Sequence, residues 1–216
     1  MNMGTVLLLL ALISPTSSES SILTPQRDGI LFSEDCEADL SKWTGQSEGA
    51  HSGLLVVDTL NPGNHVITFS SLADGGDIFS FELPSYTLHI YWIEFDYLGL
   101  PKEGTPEGNT GGRIGISNGT PGSTVVWLAG TIVEESYQEE LIDDGQWHSY
   151  RIPFVPEEIP GIGTESFRVM VEDWCGEPPD FPQGVSGDAF FDKIEVGEHH
   201  VPTQSTSWGA IKEMFK

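Results

Sequence analysis

The stretch Gly187-Asp188-Ala189-Phe190-Phe191-Asp192-Lys193-Ile194-Glu195-Val196 places a carboxylate inside a β-strand. Alternation with period 2 puts Phe190, Asp192, Ile194 and Val196 on one face, and three of the four are apolar. That face is expected to point into a core. A buried carboxylate without a partner is costly, so Asp192 calls for a cation or for hydrogen-bond donors. Two cysteines, Cys36 and Cys175, offer a second kind of chemistry. In an exported chain they can pair as a disulfide, whose long loop would contribute about 3–5 kcal/mol. As separate buried thiols they would act as small hydrophobes. With no cluster of histidines beside them in sequence, they do not make a zinc site. No Gly-x-Ser-x-Gly elbow, His-Glu-x-x-His helix or Cys–His nucleophile pair is present. Asn118-Gly119-Thr120 matches a glycosylation acceptor, which matters only in a host that glycosylates.

The elements that must position these groups read as strands. From Ile30 to Val196 the 216-residue chain is punctuated throughout by its 25 Gly and 14 Pro, with no convincing helix between them. Strands are expected at Ile30–Glu34, Leu54–Asp58, His65–Ser70, Asp77–Glu82, Tyr91–Gly99, Gly112–Ser117, Thr124–Ala129, His148–Phe154, Phe167–Asp173 and Ala189–Val196. Their number and spacing fit an all-β fold of two antiparallel sheets packed face to face. Asp39 to Trp43 is expected to make one short helical turn, with Trp43 in the core. Tyr91, Ile93, Phe95 and Tyr97 share an inward face, opposite Trp92, Glu94 and Asp96. His148, Tyr150, Ile152 and Phe154 share a face, opposite Trp147, Ser149 and Arg151. Phe167, Val169 and Val171 point inward, against Arg168, Met170, Glu172 and Trp174. Residues 100–111 and 175–187 are long Pro- and Gly-dense loops.

The two ends read differently. Val6 to Ile13 is a short apolar run, far below the ~20 residues of a membrane span. With Pro15 and the small residues after it, residues 1–20 are expected to be a secretory signal peptide. No other run is long enough to cross a bilayer. Residues 198–207 read as a polar linker and 208–216 as a short helical tail, Ser207 its N-cap and Trp208, Ile211 and Phe215 on one stripe. The formal net charge of −24, from 33 acids against 9 bases, argues against binding nucleic acid or anionic lipid. The acidic run Glu134 to Asp144 reads as a solvated loop or strand edge.

Four segments carry a resemblance. Leu31-Phe-Ser-Glu-Asp-Cys-Glu-Ala-Asp-Leu-Ser-Lys-Trp43 looks like the opening of the jelly-roll carbohydrate-binding modules, a galactose-binding-like superfamily of secreted bacterial proteins. Cys36 stands where that family usually has Phe. Ala50-His-Ser-Gly-Leu-Leu-Val-Val57 resembles its turn into the second strand, Asp144-Gly-Gln-Trp-His-Ser-Tyr-Arg-Ile-Pro153 its later strand entry, and Phe190-Phe-Asp-Lys-Ile-Glu-Val196 its closing strand. Together they imply a jelly-roll β-sandwich over residues 30–197.

The resemblance also implies a structural calcium ion tying the first strand to the last. Its ligands would be Glu37 and Asp192, with backbone carbonyls near Glu48–Ser52 and with Asp35 and Asp188 in reserve. It implies a partner as well, a polysaccharide or cell-surface glycan. Sugar rings stack on flat aromatic side chains beside polar groups, so Trp92, Trp127, Trp147 and Trp174 are the candidate platforms. Glu94, Asp96, Arg151 and Arg168 are their polar partners. Packing is the alternative role for each tryptophan. Glu94-Phe-Asp96 is similar to the Glu-x-Asp-x-x-Glu strand of jelly-roll glycoside hydrolases, where paired carboxylates cleave the glycosidic bond. Gly99 stands at the third position here, so the acid/base residue is missing. The expected protein is a non-catalytic binding module acting outside the cell, at its surface or in the periplasm. A structural or adhesive envelope protein without a sugar site is the alternative, and a glycoside hydrolase the weaker one. The tail is expected to dock, fray or engage sorting machinery.

Overall fold

The computed structural model describes residues 29–69, 76–87, 89–100, 111–131, 136–163, 165–174 and 188–200. The expected signal peptide, the helical tail and Cys175 lie outside these residues. Thirteen strands follow in chain order: β1 Gly29–Glu34, β2 Trp43–Thr44, β3 Gly53–Val57, β4 His65–Phe69, β5 Gly76–Ser80, β6 Leu83–Pro84 and β7 His89–Gly99, then β8 Gly112–Asn118, β9 Val125–Gly130, β10 Glu139–Glu140, β11 His148–Phe154, β12 Ser166–Asp173 and β13 Ala189–His200. One sheet has six strands in the order β11-β7-β13-β4-β3, with β1 also on β13. The other has seven, in the order β10-β9-β8-β12-β5-β2, with β6 on β12. All ladders are antiparallel except that of β10, which runs parallel to β9.

The inner faces of the two sheets form the core. Tyr91, Ile93, Phe95 and Tyr97 of β7 are almost fully buried, as their alternation requires. Phe167, Val169 and Val171 of β12 face them at zero exposure. Ring contacts lock the two layers: Phe167 meets Tyr91 edge-on at 5.1 Å and Phe154 at 5.3 Å between centroids. Trp43 is buried, edge-on to Phe32 at 5.2 Å. Residues 39–43 form a turn closed by Trp43 N–H to the Leu40 carbonyl, not the expected helical turn.

β1 lies antiparallel to β13, so the opening and closing segments are neighbours. β13 departs from simple alternation. Phe191 stands opposite Tyr97 and enters the core with Ala189. A bulge between Asp192 and Glu195 then inserts one residue, with Lys193 at φ 48°. The insertion returns Ile194 and Val196 to the core side. Alternation had placed Asp192 on their face; the bulge separates them, and Asp192 stands opposite Asp96 on the outer face. β13 also continues to His200, into the stretch expected to be linker from residue 198.

Candidate functional site

The structure divides the candidate ligand-binding residues between two opposite faces. On the outer face of the six-stranded sheet stand Trp92, Glu94 and Asp96 of β7, with Ser149 and Arg151 of β11 and the preceding Trp147. Trp92 is fully buried. The Arg151 guanidinium covers one side of its ring at 4.4 Å from the centroid. Gly197 packs on it so closely that a Cβ there would lie 2.2 Å from the indole. Trp92 thus offers no free ring face, which corrects its role as a platform. Arg151 also reaches Glu94 at 3.5 Å. Ser149 donates to Asp96, and Lys193 Nζ donates to the other Asp96 oxygen at 2.7 Å. Trp147 Nε1 donates to Asp58 at 3.1 Å, which fixes its ring.

The outer face of the seven-stranded sheet carries Trp127, Trp174 and Arg168. Here the tryptophans cluster. The Arg113 guanidinium lies 4.7 Å from the centroid of Trp127 and 5.1 Å from that of Trp174, between the two rings. Arg113 faces Glu172 directly across the β8–β12 ladder, and its Nε sits 2.8 Å from the carboxylate. Local sequence explains the arrangement. Ile114 and Ile116 point into the core, so Arg113 and Gly115 point out. Gly115 pairs with Trp127, and a Cβ on it would fall 2.3 Å from the Val126 carbonyl oxygen. Gly111, at φ 87°, lets the end of β12 come close: Trp174 N–H donates to its carbonyl at 2.9 Å. Both tryptophans are half-buried, whereas Arg113 is 6% exposed. Sequence reasoning missed Arg113, although the alternation around Ile114 pointed it outward beside a candidate tryptophan.

Arg168, on the same face of β12, is not a free polar partner either. It is 6% exposed and spends its donors on three segments: Nε on the Gly119 carbonyl at 2.7 Å, Nη1 on the Ser80 carbonyl at 2.9 Å and Nη2 on Glu48 at 3.0 Å. Beside it opens a cleft of about 900 Å³ with a polar lining that includes Glu48, Glu82, Asn118, Glu165 and Ser166. Ser47 and Glu48 on its rim both have positive φ, at 52° and 60°.

The residues expected to hold calcium do not fit a calcium shell. Glu37 is exposed and accepts from the backbone N–H of His65 at 3.2 Å, with the His65 ring 3.3 Å away. Asp35 is exposed and accepts from Glu37 N–H. Asp192 accepts from Asn64 Nδ2 at 3.0 Å and Lys193 N–H at 2.8 Å. Asp188 is buried where its carbonyl accepts from Leu100 N–H. The 46–48 turn is tied instead to the seven-stranded sheet, by Gln46 to Asp77 and Glu48 to Arg168. Among the described residues no three His, Cys, Asp or Glu side chains converge to hold a metal ion. Cys36 is a buried free thiol, set close to both Glu34 and Asp192; its pairing with Cys175 concerns a residue outside those described. Burial, then those two carboxylates, push its pKa far up. No described helix is long and apolar enough to cross a membrane.

No protein-family model matches the chain, and no curated protein matches it. Solved structures do. The tandem domain CBM22-1-CBM22-2 of Paenibacillus barcinonensis Xyn10C superposes with a TM-score of 0.51 at 15% identity, over 79% of this chain and 50% of that one. The chain thus spans half of the tandem. The single CBM22-2 xylan-binding domain of the same protein gives 0.49 at 14% identity, over 78% of this chain and 99% of its own. The C-terminal family 22 module of Clostridium thermocellum Xyn10B gives 0.47 at 12%. From its two packed sheets and this likeness, the chain has the jelly-roll β-sandwich fold of the carbohydrate-binding modules.

Proposed function

We propose that the chain is a non-catalytic module that binds polysaccharide or cell-surface glycan on the outer face of the seven-stranded sheet. The observation that carries this reading is the Trp127–Arg113–Trp174 stack with Glu172 beside it. Half-buried indoles held apart by a guanidinium are rigid, and they lose little conformational entropy when a sugar C–H face settles on them. The Arg113–Glu172 pair adds charged groups for hydroxyls. The fold is that of the carbohydrate-binding modules. Catalysis has little support. Glu94 is engaged by Arg151 and Asp96 by Lys193 and Ser149, and Gly99 occupies the place of an acid. Action outside the cell follows from the apolar run at Val6–Ile13, on the same reading.

The test is a glycan array on the full chain, repeated with Trp127→Ala and Trp174→Ala. Binding by the native chain, weakened at least tenfold in each variant, supports the reading. It fails if no glycan is held, or if both variants bind like the native chain; a structural envelope role would then be the better account.

A further inference from the structure

We propose that Lys193 is the resident cation of the β1–β13 seam, and that this chain closes its sandwich without a metal ion. The neighbourhood of Lys193 is crowded with negative charge. Its ammonium lies 2.7 Å from Asp96 and 3.9 Å from Asp192, and Asp58 acts on it as well. Asp192 and Asp58 are 2% and 5% exposed. Asp192 and Asp96 face each other directly across the β13–β7 ladder, where like charges repel at short range. A positive charge at this point is a physical requirement, and the chain supplies it from within.

The backbone is arranged to deliver that charge. Lys193 occupies the left-handed region at φ 48°, costly for a residue with a Cβ. The bulge there turns its side chain to the outer face, and its own N–H caps Asp192 at 2.8 Å. A second lysine serves the neighbouring carboxylate. Lys42 Nζ donates to the Ser33 carbonyl at 2.6 Å and lies 3.8 Å from Glu34, itself 2% exposed. Trp43 Nε1 and Cys36 N–H complete the Glu34 shell at 3.1 and 3.0 Å. Each of the five described Lys and Arg residues stands against a carboxylate, and two of the five lie at this seam. In a chain with 33 acids and 9 bases, that placement is a strong concentration of scarce positive charge. Hydrogen bonding to Asp96 raises the Lys193 pKa, so the ammonium stays charged across the neutral range.

The experiment compares thermal melts of the full chain in chelator and in excess calcium, for the native sequence and for Lys193→Gly. Glycine keeps the left-handed backbone and removes the whole side chain, ammonium included. The native midpoint is expected to be the same in both buffers, and the variant to melt about 2–4 °C lower. Lys193→Asn, which also tolerates positive φ, is the second variant and should fall in the same direction. A native midpoint that rises with calcium overturns the proposal, as do variants that melt like the native chain. None of these readings depends on glycan binding, so the two proposals stand or fall separately.

Discussion

Asp192 stands directly opposite Asp96 on the β13–β7 ladder, while its neighbour Phe191 stands opposite Tyr97 in the core. One residue of phase separates a buried aromatic ring from a carboxylate, and the bulge at Lys193 sets that phase. Phe191→Ala should therefore cost about 3–5 kcal/mol, the range for an emptied aromatic core site. Phe190→Ala, on the other phase and only part-buried, should cost far less. Urea denaturation of the two variants decides the assignment; equal losses would refute it.

Asp192→Ala should destabilise the chain by about 1–3 kcal/mol, because Asn64 Nδ2 and the Lys193 N–H lose their acceptor. If the residue merely adds repulsion to Asp96, the same variant would be more stable than the native chain. Chemical denaturation separates the two signs.

Gly197→Ala should destabilise by about 1–3 kcal/mol, since the new Cβ falls within the Trp92 ring and backbone would have to shift. Gly115→Ala meets the Val126 carbonyl and the Trp127 Cα. It is expected to tilt Trp127 off Arg113 and so to weaken glycan binding as well as stability. Calorimetric titration with any glycan that the array identifies, run beside a thermal melt, reads both effects.

Stability should fall at alkaline pH. Burial first, and Glu198 nearby, push the Tyr91 phenol up from 10.0 to about 12. Its folded value is thus above its unfolded one. The stabilisation is full below about pH 10 and is lost as pH rises through about 12. Cys36 acts in the same direction, beginning near its ordinary value of 9.0. Melting midpoints at about pH 8 and pH 11 measure the slope; a flat profile would contradict both burial assignments. The Cys36 thiol should also resist alkylation until the chain unfolds.

The long strands were legible because their alternation is strong. The inward residues of β7 and β12 followed it, although Trp92, Arg168 and Met170 on the opposite faces are buried too, and β11 kept the bounds His148–Phe154. β2, β6 and β10 have two residues each and carry no period to read. The bulge was invisible for another reason. Nothing in Phe190-Phe-Asp-Lys-Ile-Glu-Val196 marks an inserted residue, and unbroken alternation favours the phase of Phe190, Ile194 and Val196, with three apolar side chains, over that of Phe191 with Lys193 and Glu195. At the site, sequence could nominate tryptophans but could not tell Trp92, pinned under Arg151 and Gly197, from Trp127 and Trp174, held on either side of Arg113. Which ring is open depends on cross-strand neighbours far apart in the chain. Nor could the sequence show how the expected calcium ligands are engaged: Glu37 accepts from His65 and Asp192 from Asn64, while the 46–48 turn is tied to the other sheet.

β13 lies inside the six-stranded sheet, between β7 on one flank and β1 with β4 on the other. During synthesis, most of the chain must wait for these last residues before that layer can join up. A fragment ending before Ala189 would leave three strand edges without their partner, an invitation to stick to other chains. Whatever delays the arrival of the closing segment thus sets how long the newborn protein stays at risk of aggregation.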